Sequence, residues 1–160
     1  MNFTIHKITD KDKNWVLEIT RQWGADFIVS RGRKIYPVEI EGYFAIAEDG
    51  ERVGMVTYEV IDNQCEIVTL DAFEKFQGIG TTLLKRVIDE MKKRKVTRLW
   101  LITTNDNLDG IRFYQRHGWT LCAVHVNALE NSRKIKPSIP KIGLHGIPML
   151  HEIEFEYVLG

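Results

Sequence analysis

The amino-acid sequence predicts one α/β domain built on a single sheet with both parallel and antiparallel strands. The chain has 160 residues, which is the length of one ordinary domain with its own core. Strand and helix patterns follow in the order strand, helix, three strands, helix, strand, helix, two strands. The three consecutive strands are joined by connections too short for crossover helices, so they must pair antiparallel.

The first elements are a strand over residues 2–9 and a helix that follows it. Apolar and polar residues alternate loosely in the strand, and the helix carries an apolar stripe of Trp15, Ile19 and Trp23. Asp10 is the predicted N-cap and Gly24 the predicted stop.

Periodicity weakens between residues 25 and 42. Phe27, Ile28 and Val29 form a candidate short strand, and residues 31–34 form a basic, turn-like patch for which we expect a solvated loop. An antiparallel meander then covers residues 43–47, 53–61 and 65–70, with turn residues between its strands.

A helix is predicted from Gly78 onward because its apolar residues recur every three or four positions. It ends in a basic cluster, residues 92–95, which compensates the negative end of the helix dipole. The apolar run 96–103 indicates a strand covered on both faces. A short helix with Ile111 and Tyr114 follows, capped by residues 105–107 and ended at His117 and Gly118.

The last predicted elements are a strand over residues 119–126, a long connection over residues 127–148, and a final strand with alternating apolar residues over 153–159. Three of the four prolines lie in that connection, which therefore reads as a loop.

Composition excludes several classes of function. Lys plus Arg and Asp plus Glu number 22 each, so no net charge attracts the chain to nucleic acid or to an anionic membrane. The sequence has no apolar run of membrane-spanning length and no basic-then-apolar leader, so we expect a cytoplasmic protein. Cys65 and Cys122 are expected to be buried and reduced, and the spacing of the five histidines predicts no metal site.

The turn between the strand 65–70 and the helix after Gly78 is the first candidate site. Gly78 and Gly80 let another molecule approach the backbone, and the first turn of a helix offers unpaired N–H groups to an anion. The turn is neither a Walker loop, because Thr81 follows Gly80, nor a dinucleotide fingerprint, because Leu83 takes the place of the third glycine.

Two motifs in the correct order resemble those of the GNAT acetyltransferases. The first is a basic-x-x-Gly-x-Gly turn, and the second is Asn, five residues, Phe-Tyr, three residues, then Gly and an aromatic residue. The similarity covers residues 43–126, and the tail resembles a bacterial subgroup whose acceptors are unassigned. The motif residues here are Lys75, Gly78, Gly80, Asn107, Phe113, Tyr114, Gly118 and Trp119.

The resemblance implies a GNAT-like fold with a C-terminal hairpin, in which acetyl-coenzyme A lies where the fourth and fifth strands splay apart. The pyrophosphate would meet the amides of the glycine turn, and the pantetheine would meet backbone groups past the fourth strand. Lys75 stands where the family has Arg or Gln and lacks planar, two-point hydrogen bonding. The implied cofactor residues are Leu70, Asp71, Ala72, Lys75, Gln77, Gly78, Ile79, Gly80, Thr81, Asn107 and Phe113.

For catalysis, the resemblance implies that Tyr114 hydrogen-bonds to the leaving thiolate; its alternative is a tyrosine of the core. Glu66 is the candidate base, Asp71 its competitor and Glu41 a third, and a water chain without a dedicated base stays open.

The implied function is direct transfer of an acetyl group from acetyl-coenzyme A to a primary amine in a ternary complex. The acceptor is a small molecule or a peptide, and a homodimer stays open. The alternatives are a catalytically silent acyl-coenzyme A sensor or protein-interaction module, and a nucleic-acid-associated domain. The cations Arg133, Lys134, Lys136 and Lys141 either contact the acceptor or the ribose phosphate, or lie in a solvated loop, which we favour.

Overall fold

The structure, a computed structural model, describes residues 1–75 and 77–160, and in them nine strands and four α-helices. The strands are β1 Phe3–Lys7, β2 Ile28–Ser30, β3 Arg33–Ile35, β4 Glu41–Ala47, β5 Arg52–Ile61, β6 Gln64–Ala72, β7 Arg98–Thr104, β8 Thr120–His125 and β9 Glu152–Val158. The helices are α1 Lys13–Arg21, α2 Ile79–Lys93, α3 Leu108–Arg116 and α4 Ala128–Ile135. Short 3-10 turns cover Asp10–Asp12, Pro37–Glu39 and Leu144–Gly146.

Seven of the strands form one mixed sheet in the order β1-β4-β5-β6-β7-β9-β8. All neighbours are antiparallel except β6 and β7, which are parallel and joined through α2. The mixed sheet and the central meander are therefore confirmed. The last strand, β9, does not lie at the edge: it inserts between β7 and β8 and pairs with both.

The two faces of the sheet bury different sets of side chains. Leu83, Val87 and Met91 of α2 pack on one face in the main core, which also contains Leu99 and Phe155. On the other face Val16 and Ile19 of α1 pack against Met55. Successive residues of a strand point to opposite faces, so each strand contributes to both cores.

The parallel strands β6 and β7 pair along only part of their length. Their ladder runs from Gln64 with Arg98 to Ile67 with Leu101 and then stops, although β6 continues to Ala72 and β7 to Thr104. The register between β5 and β6 shifts at Thr57 and Tyr58, beside the same point. The predicted splay of these central strands is confirmed.

The start of α1 differs from the prediction. Thr9 and Asp12 form a capping box, in which the Asp12 carboxylate accepts a hydrogen bond from the Thr9 amide at 2.8 Å. Asp10 was wrongly taken as the cap, since its side chain is 99% exposed. Thr9 caps the 3-10 turn that precedes the helix, and the N-cap of α1 itself is Asp12, two residues after Asp10.

Residues 31–34 are not a solvated loop. The strands β2 and β3 form a hairpin across this region, and the guanidinium group of Arg31 donates to Glu152 Oε1 at 2.8 Å. Arg33 Nη2 donates to Glu66 Oε1 at 3.2 Å. Both carboxylates are buried, so the basic tip fastens the hairpin to the sheet.

The connection between β8 and β9 contains α4, which the sequence did not predict. Arg133 donates to the carbonyl groups of Ile139 and Pro140, and the buried Lys136 ammonium donates to the Phe27 carbonyl at 3.2 Å. Burial lowers the pKa of Lys136. The solvated-loop interpretation was therefore wrong for these two cations, whereas Lys134 and Lys141 are exposed.

Two smaller predictions about burial were also wrong. Cys65 is buried, but Cys122 is exposed, because β8 is the edge strand and one of its faces is uncovered. The run on β7 is covered fully on one face only: Leu99 and Leu101 are buried, while Trp100 is half-buried.

Candidate active site

The glycine turn lies where the chain passes from β6 to α2. Gly78 is the N-cap of α2 and has φ +75°, a left-handed conformation that only glycine adopts without strain. The buried Ile79 side chain anchors the first turn in the core. The turn is thus held from beneath while its backbone stays at the surface.

Several backbone N–H groups of this turn have no acceptor among the residues that the structure describes. The first N–H group that donates within the helix is that of Thr82, which bonds to the Gly78 carbonyl at 3.0 Å. Those of Gly78, Ile79, Gly80 and Thr81 donate to no acceptor in residues 1–75 and 77–160. A Cβ built on Gly78 would meet no described atom within 4 Å. This open, donor-rich helix end suits an anion such as a pyrophosphate.

Residues of α3 form one wall of the turn. A Cβ on Gly80 would lie 3.7 Å from the Phe113 ring, which also packs against the His117 ring with centroids 4.2 Å apart. His117 Nε2 is 3.0 Å from Thr81 Oγ1, and its Nδ1 is 2.8 Å from the Phe113 carbonyl oxygen. His117 therefore ties α3 to the first turn of α2, a role the sequence did not indicate.

Two other predicted cofactor residues lie at the rim of the turn. The Lys75 side chain is exposed. Gln77 Oε1 accepts a hydrogen bond from the Met1 ammonium group at 3.3 Å. Both side chains are free to move toward a bound anion, because neither is packed in the core.

The unpaired part of β6 offers peptide groups to the gap between the strands. The Phe73 amide donates to the Val53 carbonyl at 2.9 Å, so Phe73 faces β5. Peptide groups alternate along an antiparallel strand. Asp71 therefore also faces β5, and the N–H and C=O groups of Leu70 and Ala72 face the gap.

Tyr114 lies in an aromatic cluster on α3. Its ring centroid is 5.3 Å from that of Phe113, 5.5 Å from Phe155 and 5.9 Å from Trp119. Its hydroxyl group has no hydrogen-bond partner in the described parts of the chain. Burial, and then the charge of Asp71, raises the pKa of Tyr114, so the phenol stays protonated and can act as a donor.

The three candidate bases have different surroundings. Glu66 is 3% exposed; its Oε2 accepts from Ser30 Oγ at 2.6 Å and its Oε1 accepts from Arg33. The pKa of Glu66 is raised overall, because the effect of burial outweighs the opposing effects of the Ser30 hydrogen bond and the Arg33 charge. Burial alone raises the pKa of Asp71 to about 6. Glu41 is bound by both terminal nitrogens of Arg94.

Asn107 caps α3. Its Oδ1 accepts from the Gly110 amide at 3.1 Å, and its Nδ2 donates to Thr103 Oγ1 at 2.9 Å. Its side-chain amide therefore fixes the start of the helix that carries Tyr114 about two turns later.

The structure adds Ser30 and Arg33 to the site, because the β2–β3 hairpin brings both onto Glu66. Their only signal in the sequence is a Gly-containing basic tip between two short apolar runs, which is a weak hairpin pattern.

Within residues 1–75 and 77–160, no group of three or more His, Cys, Asp or Glu side chains is arranged to hold a metal ion. None of the helices found there has the length and apolar character needed to cross a bilayer.

Comparison with known proteins places this site in context. Residues 13–119 match the sequence model of the acetyltransferase (GNAT) family. The chain is 42% identical over 121 residues to the uncharacterized protein YdhI of Bacillus subtilis, an alignment that covers 76% of each chain. It is 38% identical over 135 residues to the uncharacterized protein YxbD of the same organism, which covers 83% of this chain and 84% of YxbD.

The fold is also shared with solved structures. A GNAT family acetyltransferase from Elizabethkingia anophelis with acetyl-CoA bound superimposes with a TM-score of 0.70 over 99% of each chain, at 24% sequence identity.

Proposed function

We propose, since the chain belongs to the acetyltransferase (GNAT) family, that it transfers an acetyl group from acetyl-coenzyme A directly to a primary amine in a ternary complex. One observation carries the proposal: the open N–H groups at Gly78 to Thr81 adjoin the unpaired edge of β6. An anion site and a strand-like edge in succession match a ligand with a pyrophosphate followed by an amide-containing arm.

The cosubstrate supplies an activated thioester. In our proposal the amides of Gly78, Ile79, Gly80 and Thr81 hold its pyrophosphate, with Lys75 and Gln77 at the rim. Leu70 and Ala72 bind its pantetheine arm through their free peptide groups, and Phe113 lines the wall beside Gly80. Asn107 contributes by holding α3 in place.

Tyr114 serves as the donor to the sulfur atom. Its hydroxyl group has no partner in the described residues, and its raised pKa keeps the proton on the oxygen, so that it donates a hydrogen bond to the thiolate. Hydrogen bonding to the departing sulfur lowers the barrier because it stabilises charge that develops only in the transition state.

We propose that Asp71 accepts the proton that the amine loses and that Glu66 binds the amine. A carboxylate with a pKa of about 6 is ionised at neutral pH and still basic enough to take a proton, which reaches it through water from an amine beside Glu66. Both oxygen atoms of Glu66 already accept hydrogen bonds, which suits a binding group better than a base.

The continuous sheet from β1 to β8 supports a single domain over residues 1–160. We also propose that the protein is cytoplasmic, and the absence of net charge supports a function without nucleic-acid partners.

The proposal is tested by thiol release from acetyl-coenzyme A with a broad panel of amines, run beside Tyr114→Phe and Asp71→Asn. We expect turnover with at least one amine, a lower rate in both variants and unchanged binding of coenzyme A. Tight cofactor binding without turnover on any amine would favour the silent acyl-coenzyme A sensor instead. Weak or absent cofactor binding would overturn both.

A further inference from the structure

A cavity of about 570 Å³ lies beside the proposed transfer site. Its walls include Glu59, Glu66, Asp62, Arg33 and Trp100. Cys65 and Ile67, which flank Glu66, are buried in the α2 core, so the Glu66 side chain and the cavity lie on the opposite face of the sheet. The volume is that of a site for a small molecule.

The cavity holds more negative than positive charge. Glu59 and Glu66 lie directly opposite each other on β5 and β6, where two like charges repel. Arg33 Nη2 lies 2.9 Å from Glu59 Oε1 and 3.2 Å from Glu66 Oε1, so one guanidinium serves two carboxylates. Asp62 adds a third carboxylate to the wall. Three carboxylates and one guanidinium leave an excess of negative charge, which a further cation would balance.

The cavity reaches the split between β6 and β7. Glu66 is in register with Trp100, and the ladder ends one residue later at Ile67 and Leu101. A molecule in the cavity therefore extends toward the gap from the side away from the glycine turn. The half-buried Trp100 ring forms part of that path.

From this geometry we infer that the acceptor is a small aliphatic diamine. This inference rests on the proposed function. One amino group lies beside Glu66 at the split, and the distal ammonium lies between Glu59 and Asp62. The neutral nitrogen at the split bonds to the acetyl carbon, the carbon–sulfur bond breaks, the amine proton passes through water to Asp71, and the sulfur leaves as a thiolate that Tyr114 stabilises.

A rival occupant is an amine with a distal carboxylate, which would bind Arg33. The guanidinium of Arg33 is already paired with two carboxylates, so a third negative group would add repulsion without a free partner. The charge of the distal group therefore decides between the two occupants.

The test uses three probes of equal chain length: 1,4-diaminobutane, 1-aminobutane and 4-aminobutanoate. Each is titrated calorimetrically into the full chain without acetyl-coenzyme A. We expect the diamine to bind at least about 10-fold more tightly than 1-aminobutane, as one partly buried ion pair provides, and 4-aminobutanoate to bind most weakly. Equal affinities, or tighter binding of 4-aminobutanoate, overturn the inference.

Variants of the cavity test whether it is the source of the preference for the diamine. Glu59→Gln keeps the side-chain shape and is expected to reduce the preference for the diamine about 5-fold, while Glu130→Gln, an exposed residue of α4, leaves it unchanged. If Glu59→Gln does not fold, Asp62→Asn replaces it, since Asp62 has φ +56° and asparagine tolerates that conformation. A preference unaltered in the folded variant overturns the inference.

Separate titration with coenzyme A distinguishes the two proposals. Cofactor binding and acetylation of other amines, without preference for the diamine, defeat the diamine inference alone. Failure of cofactor binding defeats the proposed function, and the amine titration then has no catalytic meaning, so the inference falls with it.

Discussion

The Asp71 carboxylate, near the end of β6, acts electrostatically on the phenol of Tyr114 on α3. The carboxylate charge of Asp71 adds to burial in raising the pKa of the Tyr114 phenol. The two groups therefore stay in complementary states at neutral pH, with Asp71 ionised and Tyr114 protonated. A proton acceptor and a proton donor thus occupy one site without neutralising each other.

Removal of the Tyr114 hydroxyl group is expected to affect turnover rather than folding. Tyr114→Phe should lower kcat about 100-fold, because the donor to the departing sulfur is lost. It should change the free energy of unfolding by less than about 0.5 kcal/mol, since the hydroxyl has no partner in the described residues. Thiol-release kinetics and chemical denaturation measure the two effects.

Tyr157→Phe is the matched control, because Tyr157 belongs to the same aromatic cluster through Trp119. An equal loss of kcat in both variants would contradict a specific role for Tyr114.

The raised pKa of Asp71 predicts a pH-dependent stability. Its folded-state pKa of about 6 lies above the ordinary carboxyl value, so the folded protein holds this proton more tightly than the unfolded chain. Stability is therefore lost as the pH rises from about 4 to 6, by up to about 3 kcal/mol. Asp71→Asn removes this loss, so the variant should be the more stable protein at pH 7 and similar to wild type near pH 4.

Urea unfolding of the ligand-free proteins between pH 4 and 8 measures this difference. Glu66 titrates in both proteins and largely cancels in the comparison. Parallel stability curves would show that Asp71 is solvated.

Alanine at Gly78 is expected to have two separable effects. The left-handed conformation costs about 1 kcal/mol for a residue with a Cβ. The added methyl group also projects into the open turn, and we expect coenzyme A affinity to fall at least about 10-fold, the equivalent of one charge-assisted hydrogen bond.

Gly50→Ala separates the two effects. Gly50 has φ +88° and equally open surroundings, but it lies in the turn between β4 and β5. Calorimetry should find similar destabilisation in both variants and reduced cofactor affinity in Gly78→Ala only; reduced affinity in both would refute the anion site.

Asn107 is expected to act through the cap of α3. Asn107→Ala should destabilise the protein by about 1 kcal/mol, because the Gly110 amide loses its acceptor. Asn107→Asp retains an acceptor oxygen at the helix start and should recover most of that stability. Thermal unfolding checks this. Loss of coenzyme A affinity in Asn107→Asp at unchanged stability would show that the side-chain amide binds the cofactor itself.

The main sheet, α2 and α3 could be predicted because their signals are local. Apolar periodicity and glycine turns mark α2 and the meander, and Asn107 with Gly118 marks the ends of α3. The parts of the site near Gly78 and Tyr114 lie on these elements, and the resemblance to the GNAT acetyltransferases implied that they belong to one site.

The features that prediction missed depend on contacts distant in sequence. Arg31 and Glu152 are separated by 121 positions, and Arg33 and Glu66 by 33. Nothing local to residues 31–34 distinguishes a hairpin that binds buried carboxylates from a basic loop. The helix α4 was missed because it is eight residues long and lies between asparagine and proline-rich turns, where periodicity has too few residues to register.

The insertion of β9 between β7 and β8 has a consequence for biosynthesis. The strands from β1 to β6 can pair as the nascent polypeptide leaves the ribosome. β8 has no strand to pair with until residues 152–158 have been translated. β8 and the free edge of β7 must therefore wait, unpaired, until β9 has been translated. Stalling or a nonsense mutation before residue 152 should yield aggregates and recruit chaperones rather than leave a folded protein.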